Sequence, residues 1–530
     1  MNHNYRRFQE VRDLKKLLID GESLTIEDVV AVARGNAEVA LSEKAKEKVR
    51  QSRETLEQFV KDKKILYGVT TGFGALGNVA ISTNDVKELQ VNLIRSHSAC
   101  VGKPLEKEIV RALMLLRANT LAKGYSGIKP ETLETLIQML NRGVHPIIPE
   151  KGSVGASGDL GPLSHMTLVL IGEGEAEYKG KIMNGREALE AAGIQPVQLD
   201  FKEGVALNNG TQMMTAIAVL VVFDAEKLLR TAEIATALSL EALNGISDAF
   251  DEKIHKVRPH KGQIAIAQNV RSLTVGSRLI FSGQEAVKRG LHPQDPYCLR
   301  CSPQVLGAAR DAAAYVKRVV EIEINSATDN PLVFAEDNTC FSGGNFHGQP
   351  IAVAMDFLAT ALTVMGNISE RRTARLVDEN LNRGLPQFLV HKDVKKGLHN
   401  GLMYAQYVAA ALASENKTLA HPASVDSIPT SASFEDFVSM GPIAARKAKA
   451  ILENVEYIVA VELLCAAQAV DFRGTEKLGK GTKAAYELLR RHVPILKEDR
   501  VLSKDIEALK TIVHDGDFVV AAEGVVGKML

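Results

Sequence analysis

Apolar positions in this chain recur in long segments with helical spacing, and in several of them they occupy most faces. From Gly210 to Leu243 the sequence is rich in Ala, Leu, Val, Met and Thr, with sparse charges that include Asp224, Glu226, Lys227, Arg230 and Glu233. A helix that is apolar on most faces belongs inside a bundle rather than on a surface. Similar segments run from about Gln304 to Asn325, Gly348 to Asp378, Gly401 to Lys417 and Pro442 to Ala469. All exceed the ordinary globular helix of about 11–12 residues. They predict a central helical bundle, with part of its surface buried in an oligomer. The first 200 or so residues read differently, with shorter helices, glycine-rich turns and a strand candidate at Glu175 to Ile182. The expected fold is mainly α, a long central helical bundle with a smaller mixed N-terminal region. Its soft divisions are 1–205, 206–480 and 481–530.

Composition narrows the partners. Lys+Arg and Asp+Glu are both 64 in 530 residues, so the chain has no net charge. That removes the long-range electrostatic case for nucleic acid or an acidic membrane, while leaving room for a local basic site for a small anion. The five cysteines (Cys100, Cys298, Cys301, Cys340 and Cys465) are too few and too scattered for a disulfide framework. Cys298 and Cys301 form a single CxxC without a second pair or a histidine at ligand spacing, so no metal site is expected. Met1 to Lys16 is polar and basic and lacks the apolar core of a signal peptide. The apolar stretch Met213 to Phe223 is shorter than the roughly 20 residues a membrane span needs. A cytoplasmic protein without membrane attachment is the expectation.

The chemistry is carried by glycines. Gly152, Gly155, Gly158 and Gly161 fall within GSVGASGDLGPLSH, between Pro149 and a helix expected to start near Pro162, after Asp159. The loop lacks the lysine of a P-loop and the strand context of a dinucleotide fingerprint. Its centre, Ala156-Ser157-Gly158, permits something else. If a tight bend presses the Gly158 amide nitrogen onto the Ala156 carbonyl carbon, a five-membered ring can close. Loss of water from the ring and from the Ser157 side chain then leaves an exocyclic methylidene, a strong electrophile. Gly158 suits the close approach because it has no side chain.

The surroundings of this tripeptide resemble those of the aromatic amino acid ammonia-lyases, the histidine, phenylalanine and tyrosine enzymes and related aminomutases. The resemblance runs from about Gly21 into the C-terminal layer. It rests on YGVTTGFG (Tyr67 to Gly74), NLIRSHSACVG (Asn92 to Gly102), GSVGASGDLGPLSH (Gly152 to His165) and NNGTQ (Asn208 to Gln212). It continues with QDPYCLRCSPQ (Gln294 to Gln304), NSATDNP (Asn325 to Pro331), GGNFHGQP (Gly343 to Pro350) and HPASVDSIPTSASFEDFVSMG (His421 to Gly441). It implies an ammonia-lyase/fumarase-like helical architecture, a homotetramer whose sites gather residues from several subunits, and a 4-methylideneimidazol-5-one (MIO) group formed from Ala156, Ser157 and Gly158 without external cofactor.

The same resemblance implies roles. Tyr67 is the expected base. A phenol of ordinary pKa about 10 must be shifted down for that, by positive or hydrogen-bonding neighbours. Gln294, Tyr297 and Arg300, three residues apart, share a face if helical and are expected to clamp the substrate carboxylate, Arg300 in bidentate fashion. Asn209 is expected to hydrogen-bond the ring oxygen, and Phe346 to wall the site. Ser96-His97 matches the pair of the histidine enzymes, which makes His97 a substrate contact. Glu435, in SFED, stands where histidine enzymes resemble NQED and phenylalanine and tyrosine enzymes show NNQD. A carboxylate can pair with an imidazole N–H, whereas a phenyl ring leaves it desolvated. The chain therefore looks most like the histidine branch, a carbon–nitrogen lyase acting on L-histidine. A tyrosine or phenylalanine lyase, a 2,3-aminomutase and an inactive helical scaffold are the alternatives. Departures from the histidine pattern are Phe434 and Phe437 for Gln and His, Asn208 for Ile, Gly161 for Ala and Cys100 for Gly.

Overall fold

The structure, a computed structural model, describes residues 14–82, 85–395 and 397–530. Of the polar stretch Met1 to Lys16, residues 1–13 lie outside the described residues, and so does that end of the 1–205 region.

Short elements make up the first part of the chain. Helix α1 (Val86–His97) and helix α2 (Lys107–Ala122) precede a three-stranded antiparallel sheet of Val144–Pro146, Glu175–Tyr178 and Lys181–Asn184. The strand candidate at Glu175 is thus the first arm of a hairpin. The strand Pro149–Lys151 pairs with Val101–Pro104, and the chain then crosses the glycine loop into α3 (Leu160–Leu170). This helix begins two residues before Pro162. The short helix α4 (Glu203–Asn208) leads through Asn209-Gly210-Thr211 into α5 (Gln212–Ala242), 31 residues and about 46 Å long at 1.5 Å per residue. A one-turn helix α6 (Tyr297–Arg300), α7 (Ser302–Glu323), α8 (Gln349–Val377), α9 (Met403–Leu419) and α10 (Gly441–Arg473) follow. The five long helices that the apolar pattern predicts are α5, α7, α8, α9 and α10. Helix α10 packs against α5, α8 and α9, and α8 also packs against α7.

Helix α5 is buried on nearly all faces, and most of its charges have partners. Asp224 pairs with Arg34 at 2.7 Å and Lys227 at 2.8 Å, Glu226 with Lys317 at 2.8 Å, and Glu233 with Arg310 at 2.7 Å. Deeper still, Arg372 of α8 meets Glu462 of α10 through two bonds of 2.6 and 2.8 Å, both side chains fully buried. The hydroxyls of Ser239 on α5 and Ser369 on α8 donate to the same carboxylate. A buried ion pair is tolerable when its remaining lone pairs are filled, and here the filling ties three helices together. One apolar cluster extends from Ile19 to Met529. Helix α8 is long and apolar enough, by length and composition, to cross a membrane, and 72% of that window is buried inside the protein.

Candidate active site

The glycine loop is a turn pinned at both ends. A bridge between Gly155 and Gly158 closes it, with Ala156 and Ser157 at the tip. Gly158 has φ 72°, and a Cβ there would stand 2.1 Å from the Gly210 carbonyl oxygen, so only glycine fits. Gly158 also bridges Gly210 in parallel sense: the Asp159 amide donates to Gly210 O at 2.6 Å and the Gly210 amide donates to Ser157 O at 3.2 Å. A tight, side-chain-free bend with its carbonyls held from behind is the shape ring closure requires, and the residues present fit the group. Asp159 does not cap α3. Its carboxylate accepts from the Met214 amide at 3.0 Å, and its other oxygen is buried without a hydrogen-bond partner. Burial pushes this carboxyl up to about 7, against hydrogen bonds from Met214 and Met213 that lower it. Sequence reasoning had used Asp159 only to mark a helix start, since nothing short of burial distinguishes it.

Above the loop is a cavity of about 880 Å³ lined by Tyr67, His97, Ala156, Ser157, Gly158, Asn209, Phe346 and Glu435. Six regions of sequence therefore converge as the motifs implied. The Ser157 hydroxyl donates to Glu435 Oε1 at 2.9 Å across 278 residues, and Thr430 Oγ1 donates to Glu435 Oε2 at 3.0 Å. A backbone bridge between Thr430 and Glu435 fixes this corner. His97 ends α1 with Nδ1 2.9 Å from Leu93 O, leaving Nε2 for a ligand. Phe434 and Phe437 line the same cavity, and Phe437 stacks on His347 at 6.2 Å and 21°. The departures at positions 100 and 161 form one packing solution: a Cβ on Gly161 would lie 2.6 Å from the Cys100 sulfur, so bulk at 100 replaces bulk at 161. Burial pushes the Cys100 thiol up to about 11, with Asp159 adding to the effect, which keeps it a neutral wall group.

At three positions a single chain shows less than the expected arrangement. Tyr67 accepts a 2.8 Å bond from the Gly74 amide, but burial raises its phenol above the ordinary 10, and Glu435 adds to the rise. The lowering expected of a base is absent within one chain because no lysine or arginine lines this cavity among the described residues. Asn209 lines the cavity, yet its side-chain oxygen has no hydrogen-bond partner, and the donor that reaches Ser157 O is the amide of Gly210. Gln294, Tyr297 and Arg300 line a separate cavity of about 610 Å³ with Asp295, Arg375 and Arg383. Arg300 donates from Nε to Asp295 O at 2.8 Å and lies 4.6 Å from the centroid of the exposed Tyr297 ring. Gln294 sits ahead of the one-turn helix rather than on it. The arginine cluster and the glycine loop thus line different cavities of the same chain.

A family described as aromatic amino acid lyase matches residues 24–491. A histidine ammonia-lyase of Alkaliphilus oremlandii is 56% identical over 96% of this chain and 99% of its own length. Among solved structures, a tyrosine aminomutase from Streptomyces globisporus aligns with TM-score 0.92 and 43% identity over 96% of this chain and 98% of its own. A histidine ammonia-lyase from Trypanosoma cruzi aligns with TM-score 0.88 and 41% identity over 96% and 95%.

Proposed function

The chain belongs to the aromatic amino acid lyase family, and from that premise we propose that it eliminates ammonia from L-histidine to give trans-urocanate. The observation that carries the substrate is Glu435. Its carboxylate is held against Ser157 in a cavity that Phe346, Phe434 and Phe437 also line. A ligand ring there must supply an N–H, as imidazole does. A phenyl ring would offer the carboxylate no donor and would still cover it from water. The similarity to proteins named histidine ammonia-lyase supports the same choice.

The MIO group that Ala156, Ser157 and Gly158 would form supplies an electron-poor methylidene at which the substrate's amine is activated for departure. Tyr67, as phenolate, removes one proton from the β-carbon. The C–H electron pair becomes the Cα=Cβ bond while the Cα–N bond breaks, and the nitrogen leaves with its pair to be released as ammonia. Glu435 and His97 orient the imidazole, Phe346 closes one wall, and Asn209 borders the reacting centre. Gln294, Tyr297 and Arg300 bind the carboxylate, Arg300 through a two-bond fork. Since these three line another cavity, they serve the site of a second copy, and a homotetramer in the cytoplasm is the assembly we assign. An arginine brought to this cavity by a second copy would supply the positive charge that the isolated cavity lacks, opposing the effect of burial on the phenol.

Incubation with L-histidine, L-tyrosine and L-phenylalanine separately, with product identification, tests the assignment. Urocanate from histidine is expected. Coumarate or a β-amino acid from tyrosine, with histidine untouched, would transfer the chain to the tyrosine enzymes. Intact mass tests the electrophile independently, since the closed ring lacks two waters relative to the encoded chain.

A further inference from the structure

Behind the glycine loop lies a guanidinium that the chemistry so far does not use. Arg117, on α2, is fully buried. Its Nη1 donates to Asn209 O at 2.8 Å and to Gln212 Oε1 at 2.9 Å, and its Nη2 donates to Ala206 O. Gln212 is itself fastened, its amide donating to Thr120 Oγ1 at 3.0 Å and Thr328 Oγ1 at 2.7 Å. Nearby, Lys202 and Asp329 form a fully buried pair at 2.7 Å. Arg117 also feels the negative charge of that same Asp329. Burial pushes the Arg117 guanidinium down to about 10, which still leaves it charged at neutral pH.

Asn209 O and Gly210 N–H belong to one peptide group. Its oxygen takes a bond from a cation, and its N–H donates to Ser157 O at 3.2 Å. Hydrogen bonding at the carbonyl end of a peptide strengthens donation at the amide end, and a charged donor does so more than a neutral one. Ser157 O is the atom that becomes the carbonyl oxygen of the closed ring. We propose that Arg117 is a positioning residue for the electrophile: through the Asn209–Gly210 peptide it orients and strengthens the hydrogen bond to the Ser157 carbonyl oxygen, drawing electrons from the group built there. Gly210 has no side chain because the wire has no room for one: a Cβ would stand 2.6 Å from Arg117 Nη1. The inference rests on the ring-forming role of Ser157, and the mass measurement separates failure of that role from failure of this one.

The test compares Arg117→Gln and Arg117→Lys with Arg111→Gln. Arg111 is a second buried arginine of α2 that donates to Val32 O and Leu140 O, away from the loop. Each variant is read by intact mass, by the near-ultraviolet absorption of the ring taken as a difference against Ser157→Ala, and by kcat and KM for L-histidine. Arg117→Gln is expected to shift the absorption band and lower kcat about tenfold or more per cyclised site with little change in KM, an indirect donor being worth less than a direct one. Arg117→Lys, which keeps the charge, recovers part of the loss. Arg111→Gln leaves the band and kcat per cyclised site as they were. The proposal is overturned by an unmoved band and kcat in the folded Arg117 variants, or by an equal change in Arg111→Gln. If Arg117→Gln does not fold, Arg117→Lys alone decides: a smaller band shift and a partial kcat loss support the proposal, and wild-type values for both overturn it. A wild-type chain that never loses two waters removes the premise instead.

Discussion

The cavities around Ser157 and around Arg300 are of comparable size, about 880 and 610 Å³, but they are built from opposite chemistries. The first combines a phenol, a carboxylate, an imidazole and the glycine loop inside a largely apolar wall, without a lysine or arginine among its described lining residues. The second gathers Arg300, Arg375 and Arg383 with Asp295 and contains none of the glycine-loop residues among its described lining. An amino acid needs both, a cation for its carboxylate and a reactive centre for its amine. The difference teaches that one chain places its arginine cluster and its glycine loop in separate cavities, which the proposed pairing of copies would bring together.

The strongest way to break this comparison is to remove each half in turn. Ser157→Ala is expected to fold, to retain both waters in its mass, and to lose turnover by about four orders of magnitude, the scale seen when a group acting covalently is removed. Near-normal turnover by that variant would remove the first cavity from the chemistry. Arg300→Ala is expected to lower kcat/KM by about 10²–10³, the cost of leaving a carboxylate without its charged partner, mostly through KM. Co-expressing the two inactive variants sharpens the point. Mixed assemblies regain activity if Ser157 and Arg300 act from different chains, and stay dead if they act from the same one.

A subtler effect is specificity. Glu435→Gln is expected to lower kcat/KM for L-histidine by about 10–100-fold, as for a lost charge-assisted hydrogen bond. Turnover of L-phenylalanine should hold or rise. Equal losses for both amino acids would mean that Glu435 serves the loop through Ser157 and does not read the ring. The last effect, read in stability and not in turnover, concerns Asp159. Its carboxyl sits at about 7 in the folded chain against an ordinary 3.8, so the folded form keeps its proton where the unfolded form has lost it. Its contribution to stability is fully present below about pH 4 and is lost as pH rises towards 7, by up to about 1.4 kcal/mol per pH unit. Asp159→Asn lacks this dependence. Thermal melts at pH 5 and pH 8 should show the wild type losing ground to the variant, and parallel melts would place the Asp159 carboxyl in an ordinary range.

The two cavities also separate what could be read early from what could not. The long helices were legible because period and composition are local: the near absence of charge over Met213 to Phe223 demands burial whatever lies opposite. The glycine loop was legible because ring closure involves three consecutive residues. Tyr67, His97, Asn209, Phe346 and Glu435 were located through motifs, and the structure gathers them. Arg300 was located too, but spacing could say only that it shared a face with Tyr297 and not which cavity that face would line.

What the amino-acid order decided alone was short-range: which segments must be helical and apolar, and which tripeptide can bend onto itself. Tertiary structure decided the rest, because burial and charge depend on neighbours hundreds of positions away. It set the Ser157 hydroxyl on Glu435, raised the Tyr67 phenol instead of lowering it, gave the Ser157 carbonyl to the Gly210 amide instead of the Asn209 side chain, and put Arg117 behind that amide. A dielectric environment and a hydrogen-bond partner are properties of a place, and a sequence specifies places only after it has folded.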